Sequence, residues 1–286
     1  MNLSFQEFLY KILKENGQLN DEHIRRVLVP QNILKFRAAF TDSSYVMTFK
    51  EIAELNANNI PLNYEYYETL GDVIINSVVV NNIIERLPTY RNTAWITRLR
   101  HYLVSGKVLA KLSYEHRFGD YIRYGPILEN NLKLFDNPMD YEYYQKLLED
   151  VFEAFLGCLR NIITVSTSDF GLGESFAVVN QVAYNIIGSF VNTIDIASLK
   201  YEDIFDPVSR LKELYDKEKW KEKYYNKIDN AQINPEYKAL YEKQNRTPKE
   251  EQRLKDLNRV RYTISVRGWP NGPTAPPVML VKNGEI

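Results

Sequence analysis

The sequence predicts an all-α domain over residues 1–195, a linker at 196–205, and a small α+β module over 206–286. Three observations carry this. Up to about residue 195, apolar residues recur at helical spacing in one segment after another. After about 205 the texture changes, and short segments alternate apolar and polar residues as strands do. Within the helical part, acids at spacings of three and four interrupt two apolar helix patterns, which marks a site rather than a surface.

"SFQEFLYKILKEN" places apolar residues on one face behind a Ser suited to cap the helix. "NYEYYETLGDVIINSVVVNNIIERLP" is one long helix pattern that ends before Pro88. "AWITRLRHYLVSGKVLAKLSYEHR" gives one or two helices, and "DYEYYQKLLEDVFEAFLGCLRNII" is again strongly periodic. "TVSTSDFGLGES" reads as a loop and "FAVVNQVAYNIIGSFVNTI" as the last helix of this part. Beyond it, "DPVSRLKELYDKEKW" is a short amphipathic helix with Pro207 in its first turn. "KYYNKI", "RVRYTISVRGW" and "PVMLVKNG" are three strands. A charged, helix-prone insertion at about 229–258 separates the first two. Thr247, Pro248 and Glu250 form a capping box with Pro at the first helical position. In "EYKALYEKQ", Tyr237, Leu240 and Tyr241 lie on one side, a stripe suited to docking on the rest of the chain or on another protein.

Composition narrows the function. No apolar run reaches bilayer-spanning length; the longest, "VIINSVVVNNII", is broken by Asn. The start does not read as a secretory signal. The single cysteine, Cys158, forbids an intrachain disulfide and suits a reducing compartment, cytoplasmic or nuclear, not secretion. His23, His101 and His116 stand apart from any nucleophile motif, and "GLGES" lacks the Lys of a phosphate loop. The net charge of -1 hides structure: residues from Asp206 onward hold 17 Lys/Arg against 12 Asp/Glu, and Arg91–Arg123 holds seven against two. Positive stripes beside a concentrated acidic site suit a metal-dependent enzyme acting on a polyanion.

Glu68 and Asp72, four apart, share a helix face, and Glu65 extends it; Asp150 and Glu153, three apart, share another. If the faces meet, like charges at about 5 Å repel by roughly 3 kcal/mol per pair at an effective dielectric near 20. Protons or cations must compensate. Oxygen ligands without His or Cys select Mg2+ or Mn2+ rather than zinc. Such ions activate water and steady both oxygens of a phosphodiester under displacement.

At these residues the chain resembles the ribonuclease III family. "YEYYETLGDVII" is similar to the family signature Glu-x-x-Glu-Phe-Leu-Gly-Asp, and "KLLEDVFEAFLGCL" to its second motif, Asp-x-x-Glu-Ala-x-x-Gly. "AAFTDSSY" resembles the segment before the signature, with Asp42 where a His is usual, and "LRHYLVSGKVLAKLS" the segment between the motifs. The resemblance implies a helical ribonuclease III-type catalytic domain that dimerises and cuts double-stranded RNA, leaving 5′-phosphate and 3′-hydroxyl ends. It implies that Glu68, Asp72, Asp150 and Glu153 are the catalytic, metal-binding acids, with Mg2+ (or Mn2+) as cofactor and Glu65 and Lys146 in support. Thr69 stands where the family has an aromatic residue that packs into the partner subunit. Residues 206–286 resemble the family's double-stranded RNA-binding domain, with the insertion in place of its groove-probing loop and with the sequence ending at "KNGEI", where the final helix is expected. Arg98, Arg100, Lys107, Lys212 and Arg267 are the candidate RNA contacts. The expected partners are double-stranded RNA, a second copy of the chain, and a further protein through the insertion, with no membrane. A catalytically silent RNA-binding or structural subunit is the alternative.

Overall fold

The computed structural model describes residues 3–86, 93–166, 172–194, 222–227, 235–243, 245–257, 262–267 and 278–280. The chain divides into two compact units, residues 1–198 and 199–286.

The described part of the first unit is helical: α1 (Phe5–Asn16), α2 (Asp21–Val27), α3 (Pro30–Ala39), α4 (Phe49–Ala57), α5 (Glu65–Arg86), α6 (Thr93–Leu103), α7 (Gly106–Glu115), α8 (Pro126–Leu132), α9 (Glu142–Ser166) and α10 (Leu172–Val191). Local chemistry sets several starts. Ser4 and Glu7 form a capping box on α1, and Thr48 and Glu51 another on α4. Pro30 and Pro126 open α3 and α8, where a missing N–H costs nothing. The α6–α7 segment resolves into two helices broken at Ser105. The loop expected over 164–175 is shorter than its composition suggests: α9 runs through Ser166 and α10 starts at Leu172. Thr164 Oγ1 donates to Ser175 Oγ at 3.0 Å, so these hydroxyls tie the two helices together instead of ending them.

Phe5, Phe8, Phe36, Phe40, Phe118, Phe152 and Phe155 make a buried aromatic cluster joined edge-to-face and stacked. Against it lies the central pair α5 and α9, the most extensive helix contact. The two backbones touch through glycines. A Cβ on Gly71 would sit 1.8 Å from the carbonyl oxygen of Glu153, and one on Gly157 2.0 Å from that of Tyr67. Farther along α5, buried Asn82 explains the polar break in the apolar run. Its amide donates to Val78 O and to Tyr184 O on α10, and its oxygen accepts from Arg86 Nε at 2.8 Å. Arg86 also stacks on Tyr184 and donates to Asn192.

In the second unit, β1 (Glu222–Lys227), β2 (Tyr262–Arg267) and β3 (Val278–Leu280) form an antiparallel sheet in that order, with Glu222 opposite Arg267 and Tyr262 opposite Leu280. The insertion holds two helices, α11 (Pro235–Glu242) and α12 (Pro248–Leu257). The Thr247–Glu250 capping box forms. Glu236–Arg253 and Lys243–Glu250 ion pairs link the helices, and Arg246 Nη1 donates to three carbonyls at the end of α11. Tyr241 is exposed and Leu240 half-buried. The predicted helix at 206–220, the stop at Pro88 and the Tyr237 side chain lie outside the described residues.

The glycine contact yields a test. Gly71→Ala or Gly157→Ala forces α5 and α9 apart and lowers stability by about 1–3 kcal/mol, read as a lower urea midpoint. Gly173→Ala, on α10 with nothing within 4 Å of the added methyl, stays neutral or gains up to about 1 kcal/mol.

Candidate active site

The close crossing brings acids from two helices together. Glu68 on α5 lies three residues before Gly71, and Asp150 and Glu153 lie on the facing turns of α9. One carboxylate oxygen from each falls within 4.8 Å of the others. Asp150 and Glu153 are buried, at 4% and 7% exposure, and Glu68 is partly buried.

The other predicted residues stand around this group. Asp72 is exposed and outside the trio; it accepts from the Asn76 amide, which receives Arg100 Nη1 at 3.1 Å on its own oxygen. Glu65 is exposed on the first turn of α5, and Thr69 is exposed with its hydroxyl on Glu65 O. Lys146, one turn before Asp150, places Nζ 2.6 Å from Asp150 Oδ1 and 3.3 Å from Glu149 Oε2. Asp150 Oδ1 is buried, and the Lys146 ammonium is its charge contact. Arg98 and Arg100 are half-buried on α6, and Lys107 is exposed at the start of α7. Arg267 lies on β2, and Lys212 is outside the described residues.

Three further groups stand at the site; Glu149 and Tyr64 were not singled out by the motifs, while Asp42 stood out there only as a departure from His. Glu149 is half-buried, its carboxylate resting over Gly106, where a Cβ would lie 2.3 Å from Oε2. Its four-residue spacing from Glu153 was the available signal. Tyr64 donates its hydroxyl to Asp150 Oδ2 at 3.1 Å. Asp42, buried at 2%, accepts from the backbone and hydroxyl of Ser44 and from Tyr143, and so builds the loop beside the site.

Burial dominates the electrostatics. It pushes Glu153 up to about 8, with the charges of Glu149 and Asp72 adding to the rise. Glu68 is raised by burial and then by Asp150, and Glu149 by burial against the pull of Lys146. Burial lowers Lys146, but its contacts with Asp150 and Glu149 outweigh that and raise it. Tyr64 is raised by burial and then by Asp150, so its phenol stays a donor. Glu68 and Glu153, both raised, converge with the buried Asp150 carboxylate, and this all-oxygen set fits a hard divalent cation.

Comparison with known proteins agrees with the motifs. Residues 65–160 match the model of the ribonuclease III domain. The chain carries a ribonuclease III domain. It is 34% identical over 160 residues to a Frog virus 3 (isolate Goorha) protein that carries a provisional ribonuclease 3 name, covering 55% of this chain and 38% of that one. It is 26% identical over 198 residues to ribonuclease 3 of Mycoplasma genitalium, covering 67% of this chain and 64% of that one. The chain thus spans less than two thirds of these curated relatives. The solved nuclease domain of ribonuclease III from Campylobacter jejuni is similar at 21% identity, over 68% of this chain and all of that one, with a TM-score of 0.43. Among the described residues, no helix is long and apolar enough to cross a membrane.

The raised acids predict a pH signature in the cation-free ribonuclease III fold. Between the ordinary carboxylate value of 4.5 and about 8, folded Glu153 keeps a proton that the unfolded chain loses. Stability in EDTA therefore falls as pH rises through that window, by a few kcal/mol as an order of magnitude. Glu153→Gln flattens the fall, measured by denaturant unfolding at pH 5 and pH 8.

Proposed function

We propose that this chain is a metal-dependent endoribonuclease that hydrolyses double-stranded RNA to 5′-phosphate and 3′-hydroxyl ends. The observation that carries the reading is the convergence of Glu68, Asp150 and Glu153 within 4.8 Å, in two motifs that both fall within the matched stretch. These three carboxylates would hold Mg2+ or Mn2+, with Asp72 at the edge of the site. A cation bound there supplies Lewis-acid chemistry, making water more acidic and offsetting charge on the phosphate. The chain's own residues do the rest. Tyr64 and Lys146 hold Asp150 from two sides. Lys107 borders Gly106, on which Glu149 rests, and Arg100 reaches the acid-bearing helix through Asn76. Positive charge at the rim suits an RNA backbone, and Arg98, Lys212 and Arg267 extend the proposed contacts. The three-stranded sheet supports a role for residues 206–286 in binding double-stranded RNA, with the α11–α12 pair as a candidate protein-docking element.

Incubation of the full chain with long double-stranded RNA tests the reading. Mg2+-dependent shortening to products with 5′-phosphates is expected, and Asp150→Asn or Glu153→Gln lowers the rate more than about a hundredfold without lowering the melting temperature in EDTA. Unchanged cleavage by both variants, or RNA binding without cleavage, would overturn it; the latter result would establish the silent subunit.

We also propose that the chain is a homodimer, since one site cuts one strand. On α5, Tyr66, Val73 and Ile84 line one face and are 53%, 64% and 54% exposed, an outward apolar stripe opposite the buried one. Val73→Asp should shift sedimentation from dimer to monomer while leaving the helical circular-dichroism signal intact.

A further inference from the structure

Asp150 is held on both carboxylate oxygens, and the two holds differ in kind. On Oδ1 stands the Lys146 ammonium, carried by a side chain that is 58% exposed. It is a charge at the end of a flexible stem, of the same sign as any cation that would enter, and the two compete for the same oxygen. On Oδ2 stands the Tyr64 hydroxyl at 3.1 Å. This group is anchored. Its backbone N–H donates to Thr41 O at 3.0 Å, and its carbonyl accepts from the N–H groups of Tyr67 and Glu68 in the first turn of α5. The residue that steadies Asp150 is therefore bonded directly to the backbone of Glu68, the ligand from the opposite helix. Thr41 is itself fixed: its hydroxyl receives Arg123 Nε and Nη2, and Arg123 is paired to Glu51.

We infer that Tyr64 is a positioning residue for the cation site: its phenol pins Asp150 Oδ2 and so fixes the orientation of the carboxylate that converges with Glu68 and Glu153. A phenol suits this task because it donates without adding positive charge and has a single hydroxyl to place. An acid free to rotate would give up freedom each time a cation bound; an acid already pinned does not. This inference rests on the metal-site reading above.

The test uses the full chain and Mn2+, with free ion counted by electron paramagnetic resonance. Tyr64→Phe removes only the hydroxyl and should weaken Mn2+ binding about tenfold. The Mg2+ concentration for half-maximal cleavage should rise by the same factor, with the rate at saturating Mg2+ near that of the unchanged protein. A merely structural role would lower stability without moving that half-saturation point. Because a variant can lose stability, the Mn2+-induced rise in melting temperature is read for each protein against its own EDTA baseline. Wild-type affinity in Tyr64→Phe, together with lost affinity in Asp150→Asn, overturns the positioning role and leaves the cation site standing. Equal Mn2+ binding by the unchanged protein and Asp150→Asn overturns the metal-site reading itself.

Discussion

The molecule is organised around one steric constraint, the contact of two helix backbones at Gly71 and Gly157. Side chains at these positions would overlap main-chain oxygens of the opposite helix, so α5 and α9 approach to a distance only glycine permits. The acids are placed by that approach. Glu68 is one turn from Gly71, and Glu153 supplies the carbonyl on which Gly71 rests. Among the described residues, α3, α6, α7 and α10 pack on this pair, and the aromatic cluster around Phe118 backs α9 through Phe152 and Phe155.

The constraint sets an electrostatic problem. Helices that close bury carboxylates that would rather face water, and the rise of Glu153, Glu68 and Glu149 is the physical trace of that conflict. Lys146 and Tyr64 relieve part of it in the cation-free protein. The remaining strain is what a divalent ion would remove, so the same burial that weakens the empty fold strengthens its hold on a cation.

Much of this was legible in the sequence because it is local. The Ser4 cap and the Thr247 capping box need only a few residues to declare themselves, and the helix faces of Glu68 and of Asp150 with Glu153 follow from spacing alone. What was not legible depends on contacts across the chain. Asp72 shares a face with Glu68, yet side-chain reach carries it to Asn76 rather than into the trio. Tyr64 is one of many tyrosines, and its four-residue spacing from Glu68 gains meaning only once α9 brings Asp150 within reach. The helical Ser and Thr residues at 164–166 and 175 looked like loop because their competition with backbone bonding is relieved by the hydroxyl pair between α9 and α10.

Asn82 and Arg86 have a role at a distance. The glycine contact sets α5 against α9, but against α10 an apolar helix face is nearly indifferent to sliding by one turn, a shift of about 5.4 Å. Hydrogen bonds have addresses. The amide of Asn82 on Tyr184 O and the guanidinium of Arg86 on Asn192 fit only one axial position of α5. That lock lies about 21 Å from Glu68, at 1.5 Å per residue. It works as a vernier: a polar key at the far end of a stiff rod holds the setting that the glycine contact makes at the near end.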